Sequence, residues 1–190
     1  MIELLEIKDF LSPATNGDLR AELHSAAGRD ATVSGRRTEH AVEALVRATT
    51  RLTLPPAIRD FIHQSLLSRM GEIGHHFGVT LTQCEAPQFL RYERGNFFVA
   101  HQDGNTPLVH DDTRFRKVST VIFLSAHSEE PLPDTYGGGK LVFHGPYSEL
   151  DLRIPVAPAP GTLIAFRSET THEVTPVTHG ERYTIVSWFR

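Results

Sequence analysis

Phe97-Phe98-Val99-Ala100-His101-Gln102-Asp103-Gly104 is an apolar run that ends in a histidine and an aspartate two positions apart, with a glycine directly behind them. On an extended strand, side chains alternate between faces, so positions i and i+2 point the same way. The stretch therefore predicts a strand whose end delivers the His101 imidazole and the Asp103 carboxylate into one space. The pattern alone is common. With 11 His and nine Asp in 190 residues, about half of one His-x-Asp is expected by chance. A second copy, His110-Asp111-Asp112, follows Thr106-Pro107-Leu108-Val109 and precedes Thr113-Arg114, and no long apolar strand leads into it. Its surroundings read as a solvated loop. Strand context favours His101 and Asp103, with His110 and Asp112 as the competing pair.

Downstream of this stretch the chain is a succession of short β-rich runs broken by glycine, proline and asparagine. They are Lys117–Ser125, Lys140–His144, Thr162–Arg167, Thr171–Val177 and Arg182–Phe189, and Gln88–Tyr92 precedes them. So many short strands with frequent turn signals predict a sandwich or barrel. Upstream the period changes. Ile58, Ile62, Leu66, Met70, Ile73 and Phe77 recur at steps of three or four, which predicts one amphipathic helix from about Pro56 to Phe77, stopped by Gly78. Ser12-Pro13 is an N-cap followed by proline at the first helical position, and Leu19, Leu23 and Ala26 give that helix a narrow apolar stripe. Residues 2–7 suit a short edge strand, Gly28–Arg37 a loop, and Thr38 the cap of a short helix carrying Ala41, Leu45 and Val46. Helices first and strands after predict an α+β fold in which the helices buttress a sheet. One domain over residues 1–190 is expected, with helical support at about 12–78 and a β core at about 87–190.

A net charge of −4 and the lack of any Lys/Arg block argue against nucleic-acid or membrane binding. The single cysteine, Cys84, rules out an intrachain disulfide framework and fits a reducing compartment. The N-terminus carries acids where a signal peptide needs basic and then apolar residues, and no apolar run reaches spanning length. A cytoplasmic protein is expected.

A third metal ligand must come from far along the chain. His172, behind the apolar strand Thr162–Phe166, is the first choice; His144 and His179, each beside a glycine, are competitors. Two histidines and one carboxylate on one face of a metal leave the opposite positions open, as in non-haem Fe(II) oxygenases. Ten residues later Arg182 opens a strand on which Thr184, Val186 and Trp188 share its face. An arginine facing inward needs an anion, because an unpaired buried charge is very costly, and a guanidinium holds a carboxylate by two parallel hydrogen bonds. The alternative is a surface arginine paired with Glu181. His63, His75 and His76 lie on the long helix with no carboxylate at ligand spacing, and are read as surface or packing residues.

The set Arg91-Tyr92-x-x-Gly95-x-x-Phe98-x-x-His101-x-Asp103, Arg116-x-x-Ser119, Gly138-Gly139-x-Leu141-x-Phe143, Pro160-Gly161, His172-Glu173-Val174-x-Pro176-Val177 and Arg182-Tyr183 resembles the prolyl 4-hydroxylase-like branch of the Fe(II)/2-oxoglutarate dioxygenases. The match runs over about residues 87–190, and Asp9-Phe10-Leu11-Ser12 resembles the branch's opening more weakly. The resemblance implies a double-stranded β-helix (jelly-roll) core, with His101, Asp103 and His172 binding Fe(II). It implies Arg182 on the distal carboxylate of 2-oxoglutarate, Tyr92 in contact with that cosubstrate, and Thr184 and Trp188 lining its pocket. It further implies O2 as the oxidant, ascorbate as a candidate reductant, and release of succinate and CO2 on hydroxylating a C–H of a prolyl residue or another amino-acid-type substrate.

Two positions depart from the pattern. Phe123 stands where several relatives have a tyrosine, so no hydroxyl is available there for the cosubstrate, and Ser125 stands where asparagine often follows leucine. Asp103, rather than alanine or glycine, leaves no site for a halide and favours hydroxylation. The loops 105–114 and 129–136 are expected to border the substrate, and Arg36, Arg37 and Arg94 read first as solvated surface residues and second as candidates for a substrate carboxylate. Two other classes share the three ligands: a metal-dependent hydrolase, and a non-catalytic barrel sensing iron or an organic acid.

Overall fold

The last strand, Arg182–Phe189, sorts its residues cleanly onto two faces. Tyr183, Ile185 and Phe189 are buried on one side among helix residues, while Arg182, Thr184, Val186 and Trp188 line a cavity on the other. The whole molecule is organised on that alternation. The computed structural model describes residues 2–30, 46–104, 112–145 and 152–190. The first half contains β1 (Leu4–Ile7), α1 (Pro13–Ser25), β2 (Gly28–Asp30), β3 (Arg47–Ala48), β4 (Thr50–Leu52), α2 (Pro56–Ser68), α3 (Met70–Phe77), β5 (Gln88–Tyr92) and β6 (Phe97–His101). There follow β7 (Val118–Phe123), β8 (Ala126–His127), β9 (Thr135–Gly138), β10 (Leu141–His144), β11 (Arg153–Val156), β12 (Leu163–Arg167), β13 (His172–Val174), β14 (Val177–His179) and β15 (Arg182–Phe189).

A seven-stranded sheet has the order β1-β12-β7-β15-β5-β4-β2, and a five-stranded sheet the order β11-β10-β13-β6-β3. Both are antiparallel throughout. Between their facing surfaces Leu90, Tyr92, Phe123, Ile164 and Phe166 of the larger sheet pack with Leu141, Phe143 and Val174 of the smaller. The outer face of the larger sheet carries Phe89, Ile122, Leu163, Ala165 and Ile185, and buries the stripes of the three helices: Leu19 and Leu23, Ile62 and Leu66, Ile73 and Phe77. Fully burying one such side chain contributes about 1.5–3 kcal/mol, so this second layer is a substantial support for the sheet that carries Arg182. The result is a jelly-roll core buttressed by N-terminal helices, the α+β arrangement expected. A small third sheet, β14-β9-β8, lies beside it, with β8 and β9 parallel.

Several local expectations hold. β1 is an edge strand on β12. Ser12 caps α1, its hydroxyl accepting the Thr15 N–H at 3.2 Å. Gly78 ends α3 with a left-handed φ of 62°. Others change. The single helix from Pro56 to Phe77 is two, interrupted at Arg69 (φ −98°, ψ −3°). The Ser68 hydroxyl there bonds the Ser65 carbonyl, competing with the helical ladder, while the apolar period runs through unbroken. Gly28–Asp30, expected in a loop, pairs with β4 as an edge strand. Thr171–Val177 divides into β13 and β14 at Thr175-Pro176, because proline has no N–H for the ladder. The helix expected from Thr38 falls almost wholly outside the described residues, as do Arg36, Arg37 and His110. The double glycine Gly138-Gly139 combines a left-handed backbone with a close approach to a neighbouring segment of the chain. Gly138 has φ 61°, and a Cβ on it would stand 2.2 Å from the Pro176 carbonyl oxygen.

Candidate metal centre

The strand pairing brings the distant histidines together: β13 runs against β6 with His172 directly opposite His101. Their rings lie 4.3 Å apart. Asp103 sits two residues beyond the end of β6, held because its own N–H and that of Gly104 both donate to the Ser168 carbonyl, at 2.9 and 3.2 Å. The carboxylate oxygens are 3.6 Å from His101 Nε2 and 3.5 Å from His172 Nε2. One donor atom from each of the three residues lies within 4.8 Å of the others, and this is the one such cluster among the described residues. His63, His75, His76, His144 and His179 take no part in it. His144 instead faces Glu173, and His63 bonds the Cys84 carbonyl.

Both imidazoles are turned the same way. His101 Nδ1 is 2.8 Å from the Val99 carbonyl and His172 Nδ1 is 2.9 Å from the Thr170 carbonyl. A carbonyl only accepts, so each Nδ1 carries a proton and each Nε2 is the nitrogen turned to the space beside Asp103. Phe98 stacks on His101 at 3.6 Å, and Phe166 meets His172 edge-on at 4.7 Å.

The electrostatics suit a divalent cation. Burial, helped by the neighbouring His101, pushes His172 down to about 4, so it is neutral at physiological pH. Burial alone would raise Asp103, but His172, the His101 ring and a hydrogen bond from the Trp188 indole N–H outweigh it and hold the carboxyl well below its ordinary range. One carboxylate, the neutral His172 imidazole and the His101 ring make up the donor set, the ligand types of an Fe(II) face.

The His172 shift makes a prediction for the metal-free protein. Its folded value lies below its unfolded value of 6.5, so between pH 6.5 and about 4 the unfolded chain binds a proton that the folded chain refuses. Stability is complete above that window and falls as pH drops through it, by about 3 kcal/mol at most. Thermal melts at pH 7.5 and 4.5 should show this loss, and His172→Asn should flatten the slope. Equal slopes in the two proteins would contradict a buried neutral imidazole.

Arg182 lies in the same cavity, whose volume is about 190 Å³. Its side chain is 1% exposed and forms no salt bridge with any described residue. Nη1 donates to Thr184 Oγ1 at 3.4 Å, and Nε is buried without a partner. Tyr92, opposite Arg182 in register, and Phe123 flank the guanidinium at 5.0 and 5.3 Å. The structure thus brings Tyr92, Thr184 and Arg182 together, with Phe123 occupying the flank without a hydroxyl. Ser125 serves the backbone instead, its hydroxyl accepting the Tyr183 N–H at 2.9 Å.

Trp188 lines the cavity and is tied to the aspartate as well. Its ring carries the Arg116 guanidinium at 3.7 Å, and Arg116 donates to the Asp103 carbonyl at 3.3 Å. Arg116 also grips Glu85 with two bonds of 2.8 and 2.7 Å, and Arg190 joins the same carboxylate at 2.8 Å. Burial would raise Glu85, yet the two guanidiniums hold its carboxyl below the ordinary value. Arg116 was visible in sequence only as part of a motif, because Glu85 and Trp188, which give it its role, lie far away in the chain. Of the expected substrate loops, residues 105–111 lie outside the described set, and no residue of 129–136 lines the cavity. Arg94 is exposed in the turn between β5 and β6.

Comparison with known proteins agrees with this geometry. A PKHD-type hydroxylase of Burkholderia ambifaria is 30% identical over 187 residues, covering 97% of this chain and 77% of the relative. A prolyl-4-hydroxylase of Pseudomonas putida superposes with a TM-score of 0.74 at 22% identity, covering 100% of this chain and 93% of the other. A Trichoplax adhaerens prolyl hydroxylase, solved with a fragment of the hypoxia inducible factor oxygen degradation domain, gives 0.76 at 15%, covering 100% and 84%. The model of the 2OG-Fe(II) oxygenase superfamily matches residues 87–190, the stretch that builds the cavity and its buried arginine. By sequence and fold together, this chain belongs to the 2OG-Fe(II) oxygenase superfamily and is an oxygenase of the prolyl 4-hydroxylase-like branch.

Proposed function

We propose that the chain, as one domain over residues 1–190, hydroxylates an unactivated C–H of a prolyl residue or another amino-acid-type substrate. In this reading His101, Asp103 and His172 hold Fe(II), and Arg182 clamps the distal carboxylate of 2-oxoglutarate. When bound, these groups and O2 supply the oxidant, with succinate and CO2 as co-products. The observation that carries the reading is the convergence of three donor atoms within 4.8 Å in a cavity that also contains a buried guanidinium without a counter-ion among the described residues. The donor set fits a metal with open positions, and the guanidinium fits a carboxylate it would bind by two hydrogen bonds.

The protein's own work is positional. The two Nδ1–H bonds fix the imidazoles, and the Trp188 N–H and Arg116 fix the aspartate from its side chain and its carbonyl. Tyr92 and Thr184 frame the cosubstrate end, and Phe98, Phe143 and Phe166 pack around the imidazoles. Asp103 is the one carboxylate among the described residues lining the cavity, and four arginines line it too. That favours the oxygenase over a hydrolase, which needs a general base beside its metal. The Pseudomonas putida and Trichoplax adhaerens structures are those of prolyl hydroxylases, which favours a prolyl substrate. Ascorbate as reductant and a cytoplasmic setting belong to the same reading; no helix among the described residues is long and apolar enough to cross a membrane.

Substrate-dependent succinate release, screened over prolyl peptides and free amino acids with Fe(II) and 2-oxoglutarate, is the test. The expected result is release above the uncoupled background with at least one member. Reversible binding of iron and 2-oxoglutarate with no release across the screen would favour the sensor.

A further inference from the structure

Besides Arg182 and Arg116, the cavity is lined by two further cations, Arg47 and Arg51. Arg29 and Arg51 stand directly opposite each other on β2 and β4, at the open edge of the larger sheet. Arg51 faces the cavity and continues the row of Leu90 and Thr184 across β5 and β15. Arg47 reaches the same space from the facing sheet, its guanidinium 4.8 Å over the Phe98 ring that stacks on His101. The chain crosses from one sheet to the other between Arg47 and Arg51, so the two cations meet where the β sandwich is open.

Like charges directly opposite one another weaken a sheet, and a half-buried guanidinium loses hydration at a cost. Arg51 does both, and it makes no hydrogen bond or ion pair with a described residue. Burial first, then Arg29 and Arg47, depress its pKa, and no carboxylate among the described residues offsets them. The fold alone does not require it there. Its inward neighbours on the row and beside it, Leu90 and Val186, are apolar, and an apolar residue would pack equally well. The metal centre does not use it either, and Arg182 already supplies a clamp for the cosubstrate.

We propose that Arg51, with Arg47 beside it, is a specificity-determining site for a carboxylate carried by the substrate. The proposal rests on the oxygenase reading and names its substrate class: an amino-acid-type substrate with an anionic group near the reacting carbon. The carboxylate has two sources, an acidic side chain next to a prolyl residue in a peptide or the α-carboxylate of a free amino acid.

Calorimetric titration of metal-free protein separates the proposal from the oxygenase reading, because it needs neither iron nor turnover. The probes are acetyl-Glu-Pro-Gly-amide against acetyl-Gln-Pro-Gly-amide, and L-proline against L-prolinamide. One acidic member should bind at least about tenfold more tightly than its neutral twin, and which pair discriminates identifies the source. Arg51→Gln should abolish the difference, and Arg51→Lys should keep part of it, with circular dichroism confirming that both variants fold. Twins that bind alike or not at all overturn the proposal. So does a difference that survives in Arg51→Gln, which would leave Arg51 as a charge that deters edge-to-edge pairing. Absence of iron-dependent succinate release by the wild-type protein would instead count against the oxygenase reading.

Discussion

His172→Ala is expected to abolish iron-dependent succinate release, a fall of at least about three orders of magnitude. The residue supplies one of three donors, and no other histidine among the described residues is positioned to replace it. Its Nδ1 bond to Thr170 and the Phe143 and Phe166 rings beside it fix a single orientation, so a neighbour cannot swing into its place. The substitution should leave the metal-free protein folded, because it removes a buried polar ring whose protonation burial already disfavours. Iron binding, followed by equilibrium dialysis, should weaken in parallel with turnover. His75→Ala, on the exposed side of α3, is the control and should behave as wild type. Full iron binding by the His172 variant would point to the competing His110 pair.

Arg182→Ala should separate the two halves of the site. Iron stays bound, while the 2-oxoglutarate concentration for half-maximal turnover rises roughly 10²-fold or more, the scale expected when one partner of a buried charge pair is removed. The unpartnered Nε and the absence of a salt bridge to any described residue mean that the cation now stands uncompensated. Removing it should therefore not weaken the empty protein, and its melting temperature should hold or rise. Lysine should restore part of the affinity, as charge without the two-pronged geometry. Because Phe123 offers no hydroxyl, the proposed clamp would rest on Arg182 and its neighbour Thr184, and the arginine's expected share is large. An unchanged requirement for the cosubstrate would remove Arg182 from the site.

What could be read in the sequence follows from how local each cause is. The two-residue step from His101 to Asp103 and the inward alternation Arg182, Thr184, Val186, Trp188 are properties of single strands, and both survive in the fold. The helix stripes were legible for the same reason. The break at Arg69 was not, because the hydrophobic period continues across it while a serine hydroxyl disturbs only the backbone. β2, β3 and β4 are two or three residues long and owe their existence to neighbours in the sheets, so no periodicity announces them. Arg51 escaped notice with them, since its inward direction is set by β5. The tie from Glu85 through Arg116 to Asp103 and Trp188 joins four parts of the chain, and only coordinates place them side by side.

The proposed chemistry requires His101, Asp103 and His172 to share one Fe(II) beside the Arg182 guanidinium. Anaerobic titration of metal-free protein with Fe(II) and 2-oxoglutarate tests this most directly, because chelation of iron by the cosubstrate produces a visible metal-to-ligand charge-transfer band. The band should appear with wild type at one iron per chain, vanish in His172→Ala, and need far more 2-oxoglutarate in Arg182→Ala. No band in wild type, with activity restored to the metal-free protein by zinc alone, would contradict it.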